Sequence, residues 1–285
     1  MYEVDRVLIA KNKSKEKKLF SKVWNNLKKS TFYKLLSKKS IISKFSGWGL
    51  EVNHSDPPWK VEQKESDKFF LETNSKLLNL INEKKFRLTQ FEYHDTDYKK
   101  ILNELKWRHY LIYNSVLELS NNTKENKKTL VECGVCDGLT FFFAASALQF
   151  KQTVFNGFLY DSWSKFSYND KKDIFDYSFL SIEIAKKNLQ SFKNELVFNE
   201  GNIPEIFNKA SNPEKIDFLH IDLNSDDATL KSLEFFYEKI LPGGIIIFDD
   251  YGRIQSEKKV IDKFLNNKKG YFVSLPTGQA VFVKK

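Results

Sequence analysis

Three aspartates stand directly after apolar stretches of the sequence. Asp222 ends the segment IDFLHID, and Asp249 and Asp250 end the segment GIIIFDD. If the two segments are neighbouring parallel strands, their ends lie about 4.8 Å apart and the three carboxylates converge. Carboxylates this close repel each other unless protons or a cation intervene. They are therefore candidate catalytic residues and, if a divalent ion such as Mg²⁺ binds there with substrate hydroxyls, candidate metal ligands.

A second group of residues forms a glycine-containing loop. The string VECGVCDG places Glu132 near the end of an apolar run, with Gly134 and Gly138 after it. Gly134 would let the backbone turn tightly and approach a ligand, and Gly138 would let a helix begin close to the strand. The pattern differs from the G-x-G-x-x-G of dinucleotide sites. Because the acidic residue disfavours a phosphate, a cationic ammonium or sulfonium group fits this loop better.

Asp161 ends the next apolar run, TVFNGFLYD, 23 residues after Gly138. An acidic residue at this place in a doubly wound sheet can accept hydrogen bonds from both hydroxyls of a ribose. Together with the loop, it indicates a ligand that joins a nucleoside to a cationic group. From these residues alone, another type of nucleotide-binding α/β domain remains the alternative.

The elements that must position these residues follow from the apolar pattern. From Thr129 onward, short apolar runs alternate with amphipathic segments, which predicts a parallel sheet covered on both faces. The predicted strands are Thr129–Cys133, Thr153–Asp161, Glu195–Gly201, Ile216–Asp222 and Gly244–Asp250, and GYFVSLP and QAVFVKK add a terminal pair in the form of an antiparallel hairpin. The fold class is therefore α/β, with a doubly wound, Rossmann-like, seven-stranded and mostly parallel sheet and an N-terminal helical extension.

Three regions are expected along the chain. Residues 1–48 form a basic amphipathic extension, residues 49–128 a helical region with helices near Glu65–Lys84 and Tyr98–Ser120, and residues 129–285 the sheet domain. The extension holds 12 Lys and one Arg against three acidic residues, so it accounts for the net charge of +9 of the whole chain. It is interpreted as a solvated docking helix, a helix at an anionic membrane surface, or a non-specific phosphate-binding arm.

With these residues in place, the segment Leu130–Lys285 resembles bacterial class I S-adenosylmethionine-dependent methyltransferases, in particular the group related to macrocin-type sugar O-methyltransferases. The matching strings follow the family order, cover about 55% of the chain, and are VECGVCDGLT, YDSWSKF, EGNIPEIF, FLHIDLNSDDATLKSLEFFYEKILPGGIIIFDDYG and LPTGQAVFVKK. The resemblance implies that S-adenosylmethionine is the cofactor. It places Glu132, Gly134 and Gly138 at the methionine end, Asp161 at the ribose with Ser162 and Trp163 beside it, and Asn202 and Ile203 beside the adenine.

The sequence departs from the family at one position of the carboxylate cluster. Metal-dependent macrocin-type enzymes carry an acidic residue two places after the first aspartate, where this chain has Asn224. An amide oxygen can still bind an ion, but the cluster has one negative charge less. The need for Mg²⁺ is therefore left open. His220, inside the same segment, is interpreted as a buried structural histidine or as a catalytic base, and the run Trp107–Tyr110 as a plain amphipathic helix or as part of a cover over the ligands.

The resemblance implies methyl transfer to a hydroxyl of a small molecule, with a sugar in glycan or natural-product biosynthesis as the acceptor. The leaving group is neutral, so positioning and deprotonating the acceptor are the main demands on the site. Two alternatives are methylation of a nucleic acid or protein held by the basic arm, and a non-catalytic scaffold that binds the cofactor. The lack of an 18-residue apolar stretch and the presence of only two cysteines predict a cytoplasmic protein. No specific nucleic-acid partner is expected, and homo-oligomerisation is left open.

Overall fold

The computed structural model describes residues 65–89, 97–121, 127–164 and 180–285, together with short strands at Phe45–Ser46, Gly49–Leu50, Ser167–Asn169 and Ile174–Asp176. The predicted basic extension, residues 1–48, lies outside the described residues apart from the first of these short strands. Residues 46–285 group together as one unit, which holds the elements that follow.

A seven-stranded sheet runs through the C-terminal part of the chain. Its strands are β1 (Lys127–Cys133), β2 (Val154–Asp161), β3 (Leu196–Glu200), β4 (Ile216–Ile221), β5 (Ile240–Phe248), β6 (Gly270–Ser274) and β7 (Ala280–Lys284). The order across the sheet is β6-β7-β5-β4-β1-β2-β3. Strands β1 to β5 are parallel, whereas β7 lies antiparallel to β5 and β6 antiparallel to β7. The predicted Rossmann-like fold and its terminal hairpin are confirmed.

Helices connect and cover these strands. They are α1 (Glu65–Asn82), α2 (Tyr98–Glu104), α3 (Lys106–Asn121), α4 (Leu139–Phe150), α5 (Ile182–Asn188), α6 (Asp226–Phe236) and α7 (Gln255–Leu265), with 3₁₀ turns at Gln190–Glu195, Glu205–Asn208 and Tyr237–Lys239. The helix predicted over Tyr98–Ser120 is two helices that meet at Leu105. Within the described residues no helix is both long and apolar enough to cross a membrane.

Aromatic side chains fill the two faces of the sheet. On one face, Phe70 of α1 packs its ring against Tyr110 and Tyr113 of α3 and against Phe143 of α4. The helices before the sheet therefore share a hydrophobic core with α4. On the other face, α6 and α7 cover a second core that includes Phe236. The predicted domain boundary between residues 128 and 129 stays a prediction.

The strand register decides which residues meet at the carboxyl edge of the sheet. Cys133 of β1 pairs with Ile221 of β4, and Ile221 pairs with Phe248 of β5, so three strands end side by side. Two backbone bonds extend this alignment by one residue. The Asp222 N–H donates to the Cys133 carbonyl at 2.8 Å, and the Asp249 N–H donates to the Ile221 carbonyl at 3.0 Å. The glycine loop after β1 and the aspartates after β4 and β5 consequently share one edge.

Candidate active site

The loop after β1 makes a tight turn into α4. Gly134 and Gly138 have φ angles of +87° and +83°, a region that residues with a side chain rarely adopt. Gly138 occupies the N-cap position of α4, and its N–H donates to the Val135 carbonyl at 2.8 Å. At Gly134, a Cβ atom would clash with the backbone carbonyl of Asp222. Gly134 is thus needed for close approach of the loop to β4 as well as for any approach to a ligand.

Asp161, at the end of β2, holds this loop in place. One carboxylate oxygen, Oδ2, accepts hydrogen bonds from the N–H groups of Val135 and Cys136, each at 2.8 Å. The other, Oδ1, accepts from the N–H of Trp163 at 2.9 Å, and the indole of Trp163 donates to the Cys136 carbonyl at 3.0 Å. A carboxylate has about four acceptor positions, so one remains on Oδ1 for a ribose hydroxyl. The carboxylate thus accepts three hydrogen bonds from backbone N–H groups of its own chain, which the sequence did not indicate.

Replacing Asp161 by alanine should weaken binding of S-adenosylmethionine by roughly 5–150-fold, corresponding to about 1–3 kcal/mol. The substitution removes the acceptor for three backbone N–H groups and frees the loop from β2. Isothermal titration calorimetry with the cofactor measures the effect, and Asp226→Ala, at an exposed position in α6, is the control. Unchanged affinity in Asp161→Ala would show that the cofactor does not depend on this loop.

The remaining residues assigned to the cofactor lie at neighbouring strand ends. Ser162 follows Asp161 and accepts a hydrogen bond from the hydroxyl of Ser164 at 2.9 Å. Asn202 and Ile203 follow β3, whose last residue pairs with Asp161. Asn202 is exposed, and Ile203 packs against the core beneath α6. Their place beside the adenine stays a prediction, as do the other cofactor contacts.

Asp222, Asp249 and Asp250 converge as the sequence predicted. One carboxylate oxygen from each lies within 4.8 Å of the others. Asp249 and Asp250 are buried, and Asp222 is partly buried. Burial and the nearby charge of Asp250 raise the pKa of Asp222 to about 6. Because oxygen donors are what Mg²⁺ prefers, and because Oδ2 of Asp250 makes no hydrogen bond among the described residues, the donor set fits a divalent ion.

Arg108 enters this cluster from helix α3. Its guanidinium contacts the Asp249 carboxylate, and Nη2 lies 3.8 Å from Oδ2 of Asp222. The side chain is 8% exposed. Desolvation lowers the pKa of Arg108, but an arginine remains protonated in proteins. The structure thus places one positive charge between two of the three aspartates, a role that the sequence did not indicate for this residue.

Glu132 and His220 form a buried pair beneath the cluster. Burial raises the pKa of Glu132 well above its usual value and lowers the pKa of His220 to about 4. Nδ1 of His220 and Oε1 of Glu132 lie 2.9 Å apart and share a hydrogen bond. The other ring nitrogen, Nε2, faces Oδ1 of Asp249 at 3.6 Å. The carboxyl of Glu132 is directed at β4, so its contact with the methionine end of the cofactor stays a prediction.

A second buried carboxyl, Glu257 of α7, borders the cluster on the far side. Its Oε2 accepts a 3.4 Å hydrogen bond from the Thr229 hydroxyl. Burial, together with the charges of Asp250 and Asp222, raises the pKa of Glu257 to about 8. The folded protein therefore binds a proton that the unfolded chain releases above pH 4.5, and stability falls as the pH rises from about 4.5 to 8.

Replacing Glu257 by glutamine should remove this pH dependence, because the amide cannot ionise. The two proteins should melt at similar temperatures at pH 5, whereas at pH 8.5 the variant should be more stable by about 2–4 kcal/mol. Thermal melting between pH 5 and 8.5 measures the difference, with the exposed Glu234→Gln as the control. Parallel melting curves for wild type and Glu257→Gln across this range would contradict the assignment.

A small cleft of about 70 Å³ lies between the glycine loop and Asp222 of the carboxylate cluster. Its lining comes from α3 and the residue before it, the loop, the start of α4 and the end of β4, and consists of Leu105, Arg108, His109, Gly134, Val135, Cys136, Asp137, Leu139, Thr140 and Asp222. The volume is below the roughly 300–1,000 Å³ of small-molecule sites, so the cleft must widen to hold both a cofactor and an acceptor. His109 stacks on Phe143 at 4.4 Å, and burial holds its pKa well below the usual value, so it lines the cleft as a neutral ring.

Arg108 and His109 are the residues that sequence reasoning undervalued. The run Trp107–Tyr110 was equally consistent with a plain amphipathic helix, and only the packing of α3 over the strand ends turns Arg108 toward the aspartates. A signal was nevertheless present. Arg108 and His109 precede the buried residues Ile112 and Tyr113 by four positions, so helical spacing places both on the apolar face of α3.

Comparisons with known proteins agree with this architecture. Residues 131–251 match a family model for a methyltransferase domain, and no curated protein matches the chain. Among solved structures, the O-methyltransferase NovP is 16% identical over 78% of this chain and 100% of its own, with a TM-score of 0.60. CalS11, a TDP-rhamnose 3′-O-methyltransferase of calicheamicin biosynthesis, is 15% identical over 80% of this chain and 99% of its own, with a TM-score of 0.47. An O-methyltransferase from Bacillus cereus, solved with SAH, is 12% identical over 75% of this chain and 91% of its own, with a TM-score of 0.45.

Proposed function

We propose that this chain, which carries a class I S-adenosylmethionine-dependent methyltransferase domain, methylates a hydroxyl group of a small molecule and that the acceptor is a sugar. The observation that carries the proposal is the shared cleft. Asp222 belongs to the carboxylate cluster and lines the same cleft as the glycine loop from Gly134 to Asp137. A methyl donor on the loop would therefore lie beside the acidic groups that O-methylation needs.

The chemistry requires an acceptor hydroxyl in line with the methyl group. The oxygen forms a bond to the methyl carbon, the bond from this carbon to sulfur breaks, and its electron pair stays on the neutral thioether product. The hydroxyl proton must leave as the oxygen attacks, and a carboxylate within hydrogen-bond reach can accept it. Asp222 lines the cleft, so we assign this acceptor role to it or to its neighbour Asp249.

A divalent ion, where it binds, would be held by Asp222, Asp249 and Asp250. Such an ion lowers the pKa of a bound hydroxyl. The chain's own residues supply the remaining requirements. Leu105 and the ring of His109 line one side of the cleft, and His220, which is hydrogen-bonded to Glu132, faces Asp249 at 3.6 Å.

The sugar assignment is supported by the resemblance to macrocin-type enzymes and by the O-methyltransferase activity named for NovP, whose fold this chain shares. The direct test is an assay for S-adenosylhomocysteine formation with a panel of free sugars, glycosides and nucleotide sugars, alongside amines, RNA and protein. We expect turnover with one class of hydroxylated sugar and a mass increase of one methyl group in the product. Turnover confined to amines, RNA or protein would contradict the proposal.

Partners beyond the small-molecule acceptor remain proposals. Contact of residues 1–48 with an anionic membrane concerns a part of the chain outside the described residues. A cytoplasmic location and a homo-oligomeric state likewise stay predictions.

A further inference from the structure

Arg108 has an unusual place for a positively charged side chain. It is buried at the carboxyl edge of the sheet, contacts Asp249, and lies 3.8 Å from Asp222. Bringing a guanidinium out of water has a high energetic cost, which nearby carboxylates offset. The two aspartates that hold Arg108 belong to the set of three that could hold a divalent ion.

A guanidinium and a divalent ion would compete for the carboxylates at this position. Mg²⁺ and Mn²⁺ bind carboxylate oxygens at about 2.0–2.2 Å, so the ion would sit among Asp222, Asp249 and Asp250. The ion would then lie within about 4–5 Å of a fixed positive charge. At this separation in a partly buried site, the repulsion between charges of +2 and +1 amounts to several kcal/mol. An ion would therefore compete with Arg108 for Asp222 and Asp249.

We propose that Arg108 is the resident counter-cation of the Asp222–Asp249 pair, and that a divalent ion binds this cluster only by displacing it. In the absence of metal, the guanidinium supplies a positive charge beside the two aspartates. Helix α3, which carries Arg108, thereby sets the metal affinity of the active site. The inference concerns the same cluster as the proposed function, but it does not depend on the identity of the methyl acceptor.

Arg253 provides a matched comparison within the same cluster. It lies 3.8 Å from Oδ1 of Asp250, but its side chain is 38% exposed, so water screens its charge. Removing it should therefore relieve much less repulsion on an incoming ion than removing Arg108. If metal affinity rises on removal of Arg108 but not of Arg253, the effect comes from displacement at Asp222 and Asp249 rather than from the change in net charge.

The test is calorimetric titration of MnCl₂ into the full-length protein, without cofactor or acceptor, for wild type, Arg108→Met, Arg108→Lys and Arg253→Met. Methionine keeps the length and apolar stem of arginine without its charge. We expect Arg108→Met to bind Mn²⁺ at least 10-fold more tightly than wild type, Arg253→Met to change affinity by less than about threefold, and Arg108→Lys to stay near wild type. Equal or weaker binding in Arg108→Met would overturn the proposal.

Loss of Arg108 also leaves Asp249 without its counter-charge, so Arg108→Met is expected to be less stable than wild type on its own. Melting temperature as a function of MnCl₂ concentration covers this case. The variant should gain more stability from Mn²⁺ than wild type does, because the ion replaces the missing charge. No greater gain than wild type, or failure to fold at any MnCl₂ concentration, would count against displacement. Since no methyl acceptor is present, a negative result here is distinct from failure of the proposed O-methylation.

Discussion

Replacing Asp249 by asparagine should lower the rate of methyl transfer by about 100-fold or more, while binding of S-adenosylmethionine changes little. Asp249 lies at the centre of the cluster, where it contacts Arg108, accepts a 2.9 Å hydrogen bond from Nε2 of Gln279, and faces His220. Asparagine keeps the size but removes the negative charge, so it can neither accept a proton nor hold an ion. The effect on cofactor binding is small because Asp249 is not part of the glycine loop.

Initial rates of S-adenosylhomocysteine formation and calorimetry with the cofactor measure the two quantities. Asp226→Asn, at an exposed position at the start of α6, controls for a non-specific effect of lost charge. Melting temperature shows whether Asp249→Asn is folded. Full activity in Asp222→Asn, Asp249→Asn and Asp250→Asn would mean that the cluster is a structural turn without a part in the chemistry.

A chelator distinguishes the two ways in which the cluster could work. If activity survives EDTA but is lost in Asp249→Asn, the carboxylate acts directly on the acceptor and Arg108 supplies the only fixed positive charge needed. If EDTA abolishes activity and MgCl₂ restores it, the ion is required despite the presence of Asn224 in place of an acidic residue. Each result thus assigns a different role to the same aspartate.

Replacing Gly134 by alanine should destabilise the protein by about 3–5 kcal/mol and abolish cofactor binding. Two effects add at this position. The φ angle of +87° is strained for a residue with a side chain, and the new Cβ would clash with the backbone carbonyl of Asp222. A backbone carbonyl at the end of β4 cannot rotate aside, since its neighbours are held in the ladder with β1 and β5.

Gly243 offers a control that separates strain from the clash. It has a φ angle of +82°, but nothing lies within 4 Å of the position that a Cβ would take. Gly243→Ala should therefore cost only about 1 kcal/mol, the penalty of the left-handed conformation. Thermal melting of the two variants gives the comparison. Equal loss of stability in both would show that the contact with Asp222 does not limit residue size at position 134.

The clash with Asp222 also changes how a loss of cofactor binding in Gly134→Ala is interpreted. From the sequence, this glycine was expected to make room for a ligand. The structure shows that the nearest atoms are those of the chain itself, so a larger residue disturbs the sheet edge before it meets a ligand. Asp161→Ala, which alters the loop without a backbone clash, is the cleaner probe of the cofactor site.

The sequence by itself determined the fold and the edge of the sheet at which we place the proposed methyl transfer. Buried strands alternate with helices in a pattern that only a covered parallel sheet satisfies, and this fixes Asp161, Asp222, Asp249 and Asp250 at the carboxyl ends of parallel strands. The convergence of the three cluster aspartates followed from strand spacing alone. These predictions succeeded because they depend on local periodicity and on the near-constant geometry of a sheet.

Only the tertiary structure decided which partners these residues have. The pairing of Glu132 with His220 depends on the register between β1 and β4, and the insertion of Arg108 depends on how α3 packs over the strand ends. Arg108 and Asp249 lie 141 positions apart in the chain, and no local pattern encodes their contact. Burial then shifts the pKa values, because desolvation raises that of Glu132 and lowers that of His220, while nearby aspartates favour the charged form of Arg108. Sequence places the ionisable groups at one edge, whereas the low dielectric of the packed interior determines which of them carry charge.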